Sequence, residues 1–162
     1  MAFSRWVVNA SPLILLGKTG QIGLLSALAD RIAVPQAVAE EVSAGDDGRT
    51  TLQAIMNDPV FILVENEAPS PEIISWDLGA GETQVIVNAR LQVADRVVID
   101  DLEARRCAQA MGLKTIGTLG LVGRAKALGL IDRAAPVVRR LRASGLYASD
   151  DLIQRLLREV GE

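Results

Sequence analysis

Short apolar runs alternate with longer helix-like stretches along the chain, and this alternation constrains the fold more than any other feature. Trp6-Val7-Val8, Arg31-Ile32-Ala33-Val34, residues 60–64, Val97-Val98-Ile99 and Lys114-Thr115-Ile116 read as strands. Brief apolar runs without polar alternation suit strands buried on both faces. Between them, helices are expected from residue 12 to about 17, over 22–29, 35–43, a short stretch to 56, then 82–91, 102–111 and 118–128. Two more, over 135–143 and 150–160, close the chain. Successive strands joined through helices pair in parallel, so the pattern predicts a mostly parallel sheet covered on both faces. No repeat, low-complexity segment or linker interrupts it, and 162 residues suit a single domain over 1–162.

Local punctuation sharpens the boundaries. Ser11 is expected to cap the first helix, with Pro12 at its first position, where no amide hydrogen is needed. Asp46-Asp47-Gly48-Arg49 reads as a polar turn, Thr50 or Thr51 as a cap, and residues 66–71 as loop. Gly112 follows a helix in the usual stop position. Ser149 precedes two acids and an apolar stripe of Leu152, Ile153, Leu156, Leu157 and Val160, most simply a core-facing helix.

Composition removes several chemistries. The chain has no histidine and one cysteine, so Ser-His and Cys-His catalysis and His- or Cys-rich zinc sites are excluded. Cys107, among small residues on a helix, reads as a buried inert thiol. Only 3% of residues are aromatic, which leaves few rings for stacking on bases. Net charge is −3, so phosphate binding would need a local patch such as Arg105, Arg106, Arg124, Arg139, Arg140 and Arg142; the plainer role for most of these is a solvated helix surface. No apolar run is long enough to span a bilayer, and the first residues are not a signal sequence, so a cytoplasmic protein without membrane association is expected.

The informative residues are Asn9, Glu41, Glu82 and the pair Asp100-Asp101. Each stands at a strand end or near a helix terminus, places that converge on one crevice in an open α/β sheet. Taken singly, each has a plain explanation. Asn9 suits an Asx turn, Glu82 a first helical turn, Glu41 a solvated surface, and the aspartate pair divides evenly between capping and metal. Glu41 is the least comfortable, because an acid late in a helix opposes the dipole. Together they form a set of hard oxygen ligands suited to Mg²⁺ or Mn²⁺, which makes metal-assisted phosphodiester hydrolysis the leading chemistry.

Three other motifs fail on spacing. Gly17-Lys18-Thr19 resembles the end of a P-loop, but Pro12 stands where the leading glycine should be. Gly117, Gly120 and Gly123 lack the dinucleotide spacing. A receiver domain would place its aspartate pair after the first strand, where this chain has Asn9.

With these residues in view, the chain resembles PIN-domain proteins, and more narrowly the DUF3368 branch, similar to VapC-type toxins. The resemblance is carried, in order, by Val8-Asn9-Ala10-Ser11-Pro12-Leu13-Ile14, by residues 34–42 ending Glu40-Glu41-Val42, and by Leu78-Gly79-Ala80-Gly81-Glu82. It continues through Ile99-Asp100-Asp101-Leu102-Glu103-Ala104-Arg105, Thr115-Ile116-Gly117-Thr118-Leu119-Gly120 and the closing Gly161-Glu162. It implies a three-layer α/β/α sandwich and a Mg²⁺- or Mn²⁺-dependent endoribonuclease, a toxin paired with a small antitoxin, and a homodimer. The family's acidic positions fall on Glu41, Glu82 and Asp100 or Asp101, and Ser11 and Thr118 match polar positions able to hold a metal-bound water or a phosphate. Asn9 departs from the aspartate usual in the family. One charge fewer weakens divalent binding, so the alternative is a weak or inactive PIN-like module that binds a protein or RNA without turnover.

Overall fold

The computed structural model describes residues 2–162. Five strands form one sheet: β1 (Arg5–Val8), β2 (Arg31–Pro35), β3 (Phe61–Val64), β4 (Arg96–Val98) and β5 (Thr115–Ile116), in the order β3-β2-β1-β4-β5. Every pairing is parallel, with Trp6 opposite both Ile32 and Arg96 and Val8 opposite Val98. Strand order reverses between β1 and β4, and there the crossovers diverge to leave a crevice beyond the carboxyl ends. The central strands are apolar because both faces are covered. Val7, Val8, Val34, Val97 and Val98 are wholly buried, and burying one such side chain contributes about 1.5–3 kcal/mol.

The helices are α1 (Ala10–Lys18), α2 (Gly23–Leu28), α3 (Gln36–Ser43), α4 (Gly48–Met56), α5 (Pro71–Ile74), α6 (Ala80–Leu91), α7 (Leu102–Ala110), α8 (Thr118–Ala127), α9 (Ala134–Ala143) and α10 (Asp150–Glu159). Helix α6 lies along β1, β2 and β4 and packs on α3, α5 and α7. Helices α8, α9 and α10 form another group, joined to α2. The result is the expected α/β/α sandwich. Cys107 is buried, as its neighbours suggested. Among the described residues no helix is long and apolar enough to cross a membrane.

Several boundaries differ from expectation for identifiable reasons. The first helix begins at Ala10 with Asn9, not Ser11, at the cap position. The Asn9 amide still donates to Val98 O at 3.0 Å, so the backbone stays extended to residue 9 and turns immediately after it. Pro12 then falls inside the first turn, where its missing amide hydrogen costs nothing. Helix α4 starts at Gly48 behind Asp47, which leaves Thr50 and Thr51 inside the helix and Thr51 buried. A Cβ on Gly48 would collide with Val42 O, so only glycine lets the chain enter α4 so close to α3. The stretch expected to be loop to residue 71 ends in the short helix α5, capped by Ser70, whose hydroxyl accepts from Ile73 N. Ser149 caps α10 as expected, accepting from Leu152 N at 3.2 Å.

Candidate metal and phosphate site

Asn9, at the end of β1, is 2% exposed. Its side chain does not cap α1; Nδ2 instead donates to Glu82 Oε1 at 3.4 Å. Asn9 Oδ1 has no partner, and among the described residues it is the one buried side-chain nitrogen or oxygen so left. An unmet acceptor in the interior costs about 1–3 kcal/mol unless something outside the chain meets it.

The packing of α3 on α6 brings the acids to this amide. A Cβ on Gly79 would sit 2.6 Å from Glu82 Oε2, so the Glu82 carboxylate folds back over the residue at the cap position and would have to swing away from a larger one. A Cβ on Gly81 would lie 3.4 Å from Asn9 Oδ1 and 3.6 Å from Glu41 Oε2, in the gap between them. Glu41 reaches this gap from the last turn of α3. Loss of solvent around it, and then repulsion from Glu82, raise its pKa above the ordinary 4.5. A carboxylate so placed gains from a proton or a cation.

The aspartate pair follows β4 on the other side of the switch point. Asp100 Oδ1 accepts from Thr118 N at 2.7 Å and Oδ2 from Thr118 Oγ1 at 2.6 Å. Asp101 caps α7, accepting from Ala104 N at 2.9 Å. Thr118 is fully buried and directs its hydroxyl to Asp100. Ser11 is exposed on the lip. One cavity of about 530 Å³ holds Asn9, Ser11, Glu41 and Glu82. A second, of about 500 Å³, shares Asn9, Ser11 and Glu82 and extends to Asp100 and Asp101.

The five residues thus line one crevice, but as two half-sites. Glu41, Glu82 and Asn9 are together, while Asp100 and Asp101 stand across from them. Among the described residues no three acidic or thiol side chains are grouped tightly enough to hold an ion by themselves. The donor set nonetheless suits a hard divalent cation: carboxylates on both sides, a buried amide oxygen with no other partner, and a carboxylate whose charge is uncompensated.

The sequence did not announce Gly79 and Gly81 as site residues, although glycine on both sides of a helix start that carries an acid was the available signal. Thr118 as the holder of Asp100 was equally hidden, because it depends on how β5 pairs with β4.

An all-parallel sheet whose strand ends deliver carboxylates and an amide to one switch-point crevice defines an open α/β protein with an acidic site. More specifically, the chain belongs to the PIN-domain family: residues 5–162 match the family DUF3368, described as a PIN domain, a nuclease-type fold. In structure it is similar to a PilT N-terminus domain protein from the hyperthermophilic archaeon Sulfolobus solfataricus P2. Identity is 13%, with 90% of this chain and 97% of the other covered and a TM-score of 0.47. No curated protein matches the sequence.

Proposed function

We propose that the chain is a divalent-metal-dependent endoribonuclease that uses Mg²⁺ or Mn²⁺. Glu41, Glu82 and the amide oxygen of Asn9 would hold the ion from one side of the crevice, and Asp100 and Asp101 from the other. When bound, the ion supplies charge neutralisation at a phosphoryl oxygen and a water acidic enough to attack near neutral pH. The chain's own contribution is preorganisation. Thr118 fixes Asp100, the start of α7 fixes Asp101, and the packing of α3 on α6 brings Glu41 and Glu82 together despite their repulsion. Ser11, exposed on the lip, can donate to a phosphate oxygen.

The observation that carries this reading is Asn9 Oδ1, buried, aimed at the space beside Glu41 and left without a hydrogen bond. Purified protein should cut single-stranded RNA with Mn²⁺ and stop on addition of EDTA. Glu41→Gln and Glu82→Gln should each reduce the rate by about 10–100-fold, the usual scale for disturbing a metal site. Cleavage by both variants at the parental rate would place the site elsewhere.

A toxin role, with a small antitoxin covering the crevice and a homodimeric protomer, rests on the family resemblance. It would be tested by growth arrest on expression, relieved by the partner. A second reading, a module that binds without turnover, is favoured by Asn9 itself, an amide at a position the family fills with an acid. Calorimetric titration with Mn²⁺ separates the two, since no heat at millimolar metal supports the module.

A further inference from the structure

The crevice continues past its carboxylates. A third cavity, of about 430 Å³, shares Asp100, Leu146 and Tyr147 with the second and runs between β5 and α10, past Arg105. Residues 144–147, which join α9 to α10, contribute to the wall of all three cavities in turn. Two residues on this extension have side chains without a hydrogen-bond partner among the described residues. Tyr147, the chain's single tyrosine, is 100% exposed. Its phenol makes no hydrogen bond among the described residues, so the ring stabilises nothing within the fold. Arg105 is half-buried on the inner side of α7, where a Cβ on Gly117 would come 3.0 Å from Asp100 Oδ1 and 3.3 Å from Arg105 Nη1. Among the described residues Arg105 forms no side-chain hydrogen bond or ion pair, in contrast to Arg106, which pairs with Glu103 at 2.7 Å. The other charges on the groove are Arg155, turned toward Asp151 at 3.3 Å, and Glu159 on the next turn of α10.

We propose that this extension is a nucleotide subsite for single-stranded RNA. Tyr147 stacks on the base beside the scissile phosphate on the Asp100 side, and Arg105 holds the adjoining phosphate. The proposal deepens the nuclease reading and rests on it for the position of the scissile bond. A strand whose phosphate lies between Glu82 and Asp100 must leave the crevice at both ends. One exit is bounded by the aliphatic and polar residues around Lys18, the other by this ring and this unpaired guanidinium. Aromatic stacking accepts any base, because each presents a π-face. A guanidinium left free in a partly dry groove matches the planar oxygen fork of a phosphate. A wall continuous along the crevice and open at both ends also suits cutting within a strand.

The test is fluorescence anisotropy of the full chain with a labelled single-stranded RNA of about twelve nucleotides, in EDTA so that binding is read without turnover. Tyr147→Ala should weaken binding by about tenfold, whereas Tyr147→Phe, which keeps the ring, should stay within about twofold of the parent. Arg105→Gln should weaken binding and lower the slope of log K against log salt by about 0.7, the value for one phosphate on a single strand. Arg106→Gln, outside the groove, should change neither quantity. Parental binding by Tyr147→Ala, or a loss with Arg106→Gln equal to that with Arg105→Gln, overturns the subsite, as does RNA that binds no form of the protein. If Arg105→Gln fails to fold, the two Tyr147 variants decide alone, since a fully exposed ring contributes nothing to the core. The nuclease reading fails separately: RNA bound with this pattern but never cut in Mn²⁺ leaves the subsite and removes the nuclease. Cutting with KM unchanged across the Tyr147 and Arg105 variants does the reverse.

Discussion

Asn9 and Glu41 carry opposite halves of one electrostatic problem. Asn9 contributes a buried oxygen without a charge, while Glu41 carries a charge it holds at a disadvantage. Replacing Asn9 by aspartate puts a carboxylate at a 2% exposed position 3.4 Å from Glu82. Without metal, Asn9→Asp should lower stability by about 1–3 kcal/mol, the scale for an unmet buried polar group, and calorimetry should show Mn²⁺ binding more tightly than to the parent. A thermal melt unchanged in EDTA would mean that position 9 is wetter than its burial implies. Glu41 gives the complementary result. Its folded pKa lies above 4.5 through desolvation and the Glu82 charge, so the folded state binds more protons than the unfolded chain between those two values. Stability from this group therefore falls as pH rises through that window, and the penalty is fully present above it. Glu41→Gln should raise Tm at pH 7 and lose that advantage toward pH 4. The gain should stay below about 1 kcal/mol, because Glu41 is exposed to screening solvent. Melts of parent and variant at both pH values check the sign.

At the scale of elements, helix α6 shows how a site and its strain share one segment. Its start, with Gly79 at the cap position, carries Glu82 in its first turn into the site. Its end leaves Val93 at φ +50, a left-handed conformation in which a β-branched side chain is strained. Val93 is 80% exposed, so its side chain offers little burial in return. Val93→Gly should stabilise the protein by about 0.5–1 kcal/mol, the left-handed penalty less the extra freedom glycine gains when unfolded; a lower Tm would show that the exposed isopropyl group makes contacts that matter. Strand and helix order was legible because apolar periodicity is local. The starts of α1 and α4 were not, because each is fixed by a neighbour distant in sequence: Val98 O holds Asn9 extended, and Val42 O admits only glycine at 48. Ser11-Pro12 and Thr50-Thr51 carried the right chemistry for caps but stood within helices that tertiary contacts had already begun. The acids of the site could be listed from strand and helix ends. Their division into two half-sites, and the commitment of Thr118 to Asp100, could not, since that follows from the pairing of β4 with β5.

In the whole molecule, the order β3-β2-β1-β4-β5 makes β1 and β4 neighbours although most of the chain's first hundred residues separate them, and that adjacency places Asn9 and the aspartate pair on one crevice. The far end of the chain is tied in by a second long-range contact. Gly161 takes φ +82, and Glu162 then turns back onto the start of α9. There its carboxylate accepts from Ala134 N at 2.5 Å and from Ala135 N at 3.2 Å. Arg133 occupies the cap position of that helix and offers no side-chain acceptor, so Glu162 supplies the cap from 28 residues away. This gives Gly161-Glu162 a physical role in the fold. The Ala134 amide above all holds the Glu162 carboxyl below its ordinary 4.5. A lowered folded pKa means the contribution is present above 4.5 and disappears as pH falls through the lowered value. The contact ties the start of α9 to the end of α10, the two helices whose other ends are joined through residues 144–147 in the wall of the crevice. Glu162→Gln keeps an acceptor but removes the charge. It should lower Tm at pH 7, with the difference from the parent closing as the pH falls below 4.5 and through the lowered folded value. If the clamp steadies the wall, the same variant should bind single-stranded RNA more weakly at pH 7 while Mn²⁺ affinity, set by Asn9, Glu41, Glu82, Asp100 and Asp101 and not by residues 144–147, stays at the parental value. Equal loss of both would instead mean that the whole sandwich has loosened.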